Sequence, residues 1–462
     1  MNSRNPSLLW GGLTVTMDGT RRVIRDAGVV IDGQRIAAVG KADDLSSKYP
    51  DAHVIDVSGK LLIPGLIDAH NHPAHFLTKG FLDDMEASRR WKTRLYPFEL
   101  SVSDDETYWG ALATFAEMIK SGTTTVADPG NLHPDAVARA ARDIGVRVLL
   151  APAVSDIDDP VRPWGRRDPN VLVAENERLF RSWNGQANGR IRVCMGLWST
   201  TSVSDDLVRL VVKTAERLDT GIHGHLAAKP LDNEVALAQH GCRAVAWYHK
   251  LGALNERFLA AHMGAVDAVD VDLALRSGVR IVHCASASMF GAFGCISHGR
   301  FPELIDGGAT VGLGTDAASI SRFLDMAREM YLAACAHKDA RMNAELIGAH
   351  KAMEMATIDG ARALWWDSEI GSIEVGKKAD LTVVCMDGLE WQPYPAANPV
   401  ANFVYSSGGH RVETVFVDGR CLLRDGVLQT VEEHYLRDQV FRAAESATGR
   451  AGFVRNSVWP VV

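Results

Sequence analysis

Apolar and polar positions alternate with a period of two in the first sixty residues. Residues 13–17, 27–31 and 35–39 read as short strands, and Asp32-Gly33 marks a hairpin between the last two. From residue 62 the rhythm changes, and short apolar runs alternate with helical patterns to about residue 340. Eight strands are expected, at 62–69, 123–128, 146–151, 191–197, 220–225, 257–262, 279–284 and 309–315. The clearest helix starts at Asp104, with Ser103 as its cap and Glu106 closing a capping box. Gly122, Gly145 and Gly278 stand just past helical patterns, where a left-handed residue is wanted. Eight strand–helix units in succession predict an α/β fold with a (β/α)8 TIM barrel. An open doubly wound sheet is the runner-up. No G-x-G-x-x-G follows the first strand, so its dinucleotide-binding form has little support.

After residue 366 strands return at 379–385, 412–417 and 420–423, with Asp418-Gly419 as a hairpin turn. The two strand sets are expected to pair into a small β-sandwich domain formed from both chain ends. The predicted boundaries are 1–61 and 366–432 for that domain, 62–365 for the barrel, and 433–462 for a C-terminal helix and tail. Residues 153–170 and 386–400 are the expected long loops.

The chain has 462 residues, of which 47% are hydrophobic and 23% charged, as in a folded enzyme rather than a disordered chain. Its net charge of −8 argues against a nucleic-acid partner held by phosphate contacts. No apolar run reaches the roughly 18 residues of a membrane span, and residues 1–10 lack the apolar core of a signal peptide. The seven cysteines form no C-x-x-C pair, and their odd count favours reduced thiols. A cytoplasmic homo-oligomer acting on a small molecule, with no membrane partner, is expected.

In a barrel of this kind, catalytic residues sit at the C-terminal ends of strands. Strand one ends Asp68-Ala69-His70-Asn71-His72, strand five His223-Gly224-His225, strand six Ala261-His262, and strand eight Gly314-Thr315-Asp316. Alternation places His70 and His72 on one side of their strand. Imidazoles from two strands with one carboxylate make a nitrogen-rich site for Zn²⁺ or Fe²⁺. Such an ion lowers the pKa of a bound water to about 7 and so supplies hydroxide at neutral pH. A lone H-x-H is common by chance, and His133, His240, His249 and His337 read as packed or surface residues. The weight lies in four strand ends carrying ligand types together.

The stretch Pro64-Gly65-Leu66-Ile67-Asp68-Ala69-His70-Asn71-His72 resembles the first-strand motif of the amidohydrolase superfamily. Tyr96-Pro97-Phe98-Glu99, Ser121-Gly122-Thr123-Thr124-Thr125 and Leu313-Gly314-Thr315-Asp316 resemble it too. So do the stretches at 356–364 and 370–380. The likeness runs from about residue 8 to 427 and points to the branch of cytosine-deaminase-like, guanine deaminase and triazine hydrolase enzymes. It implies His70, His72, His225 and Asp316 as metal ligands, Asp316 also as proton shuttle, and His262 as the group orienting the nucleophile or the substrate oxygen. Strand four, Val193-Cys194-Met195-Gly196-Leu197-Trp198, lacks the bridging lysine or acid of binuclear relatives, which implies one divalent ion per subunit. By the same likeness His225 is the strand-five ligand, and His223 stands behind it or is simply packed.

The chain departs from that pattern at Ala228, where the superfamily motif has a proton-shuttling glutamate. Lys229 is adjacent, but on an extended strand it would project from the other side. The segment after strand seven, His283-Cys284-Ala285-Ser286-Ala287-Ser288, also differs from the usual Pro-x-Ser-Asn. Without the glutamate, attack on an acyclic carbonyl is the easier reaction, because no ring nitrogen has to be protonated. The expected activity is therefore cleavage of a carbonyl C–N (or C–S) bond in a urea, carbamate, thiocarbamate or amide, including xenobiotics such as phenylureas. The resemblance extends in that direction to the phenylurea and thiocarbamate hydrolases. The alternative is an aminohydrolase of a purine, pterin or s-triazine ring. Trp198, His283, Ser288 and Phe290 are the expected substrate contacts.

Overall fold

The computed structural model describes residues 5–157, 166–454 and 459. The middle of the expected loop at 153–170 and most of the tail beyond 454 lie outside the described residues.

Both chain ends build one nine-stranded sheet. Its N-terminal strands are Ser7–Val15, Val23–Asp32, Arg35–Lys41, His53–Asp56 and Lys60–Pro64. Its C-terminal strands are Leu381–Cys385, Val412–Val417, Arg420–Arg424 and Val427–Leu428. Leu381–Cys385 lies between the two sets, antiparallel to Lys60–Pro64 on one side and to Val412–Val417 on the other. Leu9, Val29, Ile36, Leu62, Leu381, Val383 and Phe416 pack into one core on this sheet.

Two runs of parallel strands follow. One holds Leu66–Asp68, Thr123–Asn131, Arg147–Pro152 and Ile191–Val193, and the other Met195–Ser199, Ile222–Leu226, Phe258–His262, Arg280–His283 and Val311–Leu313. These strands are almost wholly buried, as parallel strands covered on both faces must be. Helices connect them, giving a TIM-barrel-like α/β fold. Asp104–Lys120 carries the expected capping box from Ser103 and Glu106. Gly145 and Gly278 close their helices at φ 105° and 69°.

The single strand expected at 62–69 is two strands in two sheets. Pro64-Gly65 breaks it, and the Gly65 N–H bonds Asp380 O, in the other chain end, at 2.9 Å. A Cβ at residue 65 would stand 2.3 Å from the Thr124 side chain, so the crossover needs glycine. Residues 62–64 thus belong to the sheet of the chain ends. The strand expected at 191–197 is likewise divided at Cys194, whose N–H bonds Leu150 O while Met195 N–H bonds Gly221 O.

A buried ion cluster ties the parallel strands to the terminal sheet. Arg147, fully buried, donates Nε and Nη2 to Asp380 at 2.9 Å each and Nη2 to Asp418 at 2.6 Å. Burial by itself would lower the Arg147 pKa, but Asp380 and Asp418 outweigh it and raise it above its usual value.

Candidate functional site

His70 and His72 follow the strand Leu66–Asp68, His223 and His225 lie in Ile222–Leu226, His262 ends Phe258–His262, and Asp316 follows Val311–Leu313. The first and last of these strand ends are laced together. Asp316 N–H donates to His70 O at 2.8 Å, and His72 N–H to Asp316 O at 2.6 Å. Ala227, His262 and Asp316 leave their strands at φ 47°, 76° and 63°, a left-handed geometry that non-glycine residues hold only where the surroundings impose it.

The side chains converge. His72 Nε2 lies 3.3 Å from His225 Nε2 and 3.7 Å from Asp316 Oδ1, and His262 Nε2 is 4.0 Å from Asp316 Oδ2. The donor atoms of His70, His72 and His225 all lie within 4.8 Å of one another, and so do those of His70, His262 and Asp316. His225 Nδ1 donates to the Trp198 carbonyl at 2.6 Å, which leaves its Nε2 with a lone pair. His223 stands behind the cluster, its Nε2 3.1 Å from His70 Nδ1, so it holds the His70 ring from the rear. His70 Nε2 is buried without a partner. Lone pairs aimed at one another and an unsatisfied buried nitrogen are costly unless a cation fills the space between. The donor set therefore fits a divalent ion, with two overlapping triads able to hold it, His70, His72 and His225 or His70, His262 and Asp316.

Burial, and secondarily the neighbouring imidazoles, holds His70, His72 and His262 well below the usual histidine pKa. They are neutral, the form that ligates metal. Burial pushes the Asp316 carboxyl up to about 7, with Asp68 adding to the rise and Arg90 opposing it. A bound cation would draw that proton off.

A cavity of about 260 Å³ opens beside these groups, walled in part by Trp91, Tyr96, Trp198, Leu231, Val235 and Phe293. Trp198 lines it as expected. His283, Ser288 and Phe290 do not line it. The His283 ring stacks on Phe301 at 3.7 Å and meets His337 Nε2 at 3.0 Å. The Ser288 hydroxyl accepts the Cys295 N–H. Phe290 lies under the buried Arg90 guanidinium, and Phe293 faces the cavity from the same segment. Trp91, five places before the stretch Tyr96-Pro97-Phe98-Glu99, escapes sequence reasoning because nothing in its spacing marks it as a wall residue.

Lys229 also differs from expectation. It lines the same cavity as Ala228. The strand ends at Leu226, and the left-handed turn at Ala227 cancels the alternation that would have sent the two side chains apart.

The amidohydrolase family model matches residues 61–422. A 5-methylthioadenosine/S-adenosylhomocysteine deaminase from Desulforamulus reducens is 30% identical over 96% of this chain and 100% of its own. A 5'-deoxyadenosine deaminase from Methanothermobacter thermautotrophicus is 34% identical over 92% of this chain and 96% of its own. Among solved structures, an adenosine deaminase from Xanthomonas campestris with bound zinc superposes with a TM-score of 0.89 at 27% identity, covering 96% of this chain and 98% of that one. The zinc-complexed atrazine chlorohydrolase of Arthrobacter aurescens shares the fold, with a TM-score of 0.86 at 23% identity over 95% of this chain and 99% of its own. The strand-end histidines and Asp316 thus sit in a chain that belongs to the amidohydrolase family, hydrolases of C–N bonds other than peptide bonds.

Proposed function

We propose that this protein is a zinc-type aminohydrolase that releases ammonia from a ring carbon of a heteroaromatic amine of the purine-nucleoside kind. The observation that carries this reading is end-to-end similarity to deaminases of adenosine derivatives, together with an aromatic-walled cavity opening on the histidine cluster. It replaces the acyclic urea or carbamate as the first reading. The acyclic reading stays second for one specific reason: Ala228 puts a methyl group where a ring deaminase of this family has its proton-shuttling carboxylate.

When bound, the divalent ion would supply Lewis acidity and an acidified water. The remaining work falls to side chains. Asp316 takes a proton from the attacking water and passes it to the departing nitrogen. His262, buried beside Asp316, fixes the attacking oxygen, and Trp198 and Phe293 hold the flat ring. Incubation with a panel of ring amines, phenylureas and carbamates decides between the readings. Ammonia from a ring amine supports the first, and release of an aniline or alkylamine without ammonia supports the second.

Two further results are expected. Elemental analysis should find one divalent ion per active chain, because no lysine or acid on Ile191–Val193 or Met195–Ser199 is available to bridge a pair. Two ions per active chain would contradict this. His262→Ala should retain the ion and lose about 10²–10³-fold in rate, the usual loss on removing one group that stabilises a developing oxyanion. Full activity in that variant would free His262 of the role.

The architecture extends the proposal. The Ala69 N–H bond to Leu313 O at 2.8 Å supports closure of the parallel strands into an eight-stranded barrel. The shared core of Leu9, Ile36, Leu381 and Phe416 supports a sandwich-like domain from the two ends, bounded near 1–64 and 366–432. No helix of the described residues is long and apolar enough to cross a membrane. The seven unpaired thiols support a cytoplasmic address.

A further inference from the structure

Ring deamination moves two protons. One goes to the exocyclic nitrogen so that it leaves as ammonia. The other goes to the ring nitrogen that receives the π pair when water adds to the ring carbon. Asp316 accounts for the first. For the second, the cavity wall offers few candidates. Ala228 ends in a methyl group. Asp232 is engaged elsewhere, since its Oδ2 accepts the N–H groups of Ala228 at 2.7 Å and Lys229 at 3.3 Å as a cap on the helix Pro230–His240. Tyr96 enters from a different segment, the helix Tyr96–Ser101.

Lys229 is placed differently. Met263 N–H bonds Leu226 O at 3.1 Å, and Ala265 N–H bonds Ala227 O at 2.8 Å. These bonds bind the segment that carries Lys229 to the segment that begins with His262. Lys229, Asp232 and Gln239 then form the polar part of a wall otherwise made of Leu231 and Val235, and the Gln239 amide has no acidic proton to give. The Lys229 charge is close enough to His262 to help hold that imidazole neutral, after burial and His225.

We propose that Lys229 is a catalytic residue, the proton donor to the substrate's ring nitrogen, and this assignment rests on the aminohydrolase reading. The water oxygen bonds to the ring carbon, and the C=N π pair moves to the ring nitrogen, which takes a proton from Lys229 Nζ. Asp316 takes one water proton and hands it to the exocyclic nitrogen. The C–N bond breaks with its pair on nitrogen, giving ammonia. The remaining O–H proton returns to the neutral Lys229 amine as the lactam carbonyl forms. One water is consumed and one ammonia made, and both side chains regain their starting protonation.

The test uses the zinc-loaded full chain and the best ring amine of the panel. Lys229→Met should lower kcat by about 10²–10⁴-fold, with KM and zinc content close to wild type. Adding Ala228→Glu to that variant should recover at least part of kcat, because a carboxyl group then reaches the same space from the next residue. Lys229→Met with wild-type kcat overturns the assignment. A kcat loss in Asp232→Asn that Lys229→Met does not share also overturns it and transfers the role to Asp232. So does a Lys229→Met loss that appears only as raised KM or lost zinc. A wild-type protein that releases ammonia from no ring amine overturns the aminohydrolase reading itself, whatever the variants do.

Discussion

Asp316→Asn is expected to lower kcat by about 10⁴-fold, the upper end of what one acid–base group contributes. The size follows from the position. Among the described residues, the Asp316 carboxylate meets both His72 and His262, at 3.7 and 4.0 Å. Asparagine keeps the shape and one acceptor oxygen but cannot take a proton. It also weakens the charge balance of the ligand set. The measurement is steady-state kcat beside zinc content. A variant that keeps its zinc and loses turnover assigns the loss to proton transfer, and one that loses both assigns a share to ligation. Near-normal turnover would remove Asp316 from the chemistry.

The largest effect on stability is expected from Arg147→Met, about 3–5 kcal/mol. The guanidinium has no exposure to water and is the closest cation to both Asp380 and Asp418. Arg190 and Lys378 approach Asp418 only at 3.5 and 3.6 Å. Removing Arg147 leaves buried carboxylates with little compensation, and the loss comes from their desolvation more than from the attraction itself. Urea unfolding of the single variant, set against Arg147→Met/Asp380→Asn/Asp418→Asn, separates the two. The triple variant should be the more stable one. Equal stability of the single variant and the wild type would mean that water reaches the cluster.

Much of this was legible in the sequence because periodicity and capping are local. The parallel strands, the Ser103 cap and the convergence of His70, His72, His225, His262 and Asp316 follow from runs of a few residues plus the rule for strand ends. What was not legible depends on one backbone torsion or on a distant partner. Pro64-Gly65 divides a continuous apolar run because Asp380, far along the chain, takes the Gly65 N–H. Lys229 faces the cavity because Ala227 turns left-handed. His283 has the look of a site residue, yet its ring is taken by Phe301 and His337, which no local pattern announces. The missing glutamate at Ala228 is a local difference that favours the acyclic reading, whereas relatives similar along the whole chain are deaminases, a likeness that no local pattern carries.

The interleaving of the terminal strands also bears on how the chain is made. Lys60–Pro64 awaits Leu381–Cys385 as its neighbour, and that strand lies more than three hundred residues downstream. At about 5–20 residues per second, a ribosome takes tens of seconds to deliver it. For that interval the nascent N-terminal sheet presents a bare edge of backbone donors and acceptors flanked by Leu61, Leu62 and Ile63. The stretch of synthesis between residues 64 and 381 is therefore when this protein depends most on chaperones, and a truncated product ending inside it would expose that edge permanently.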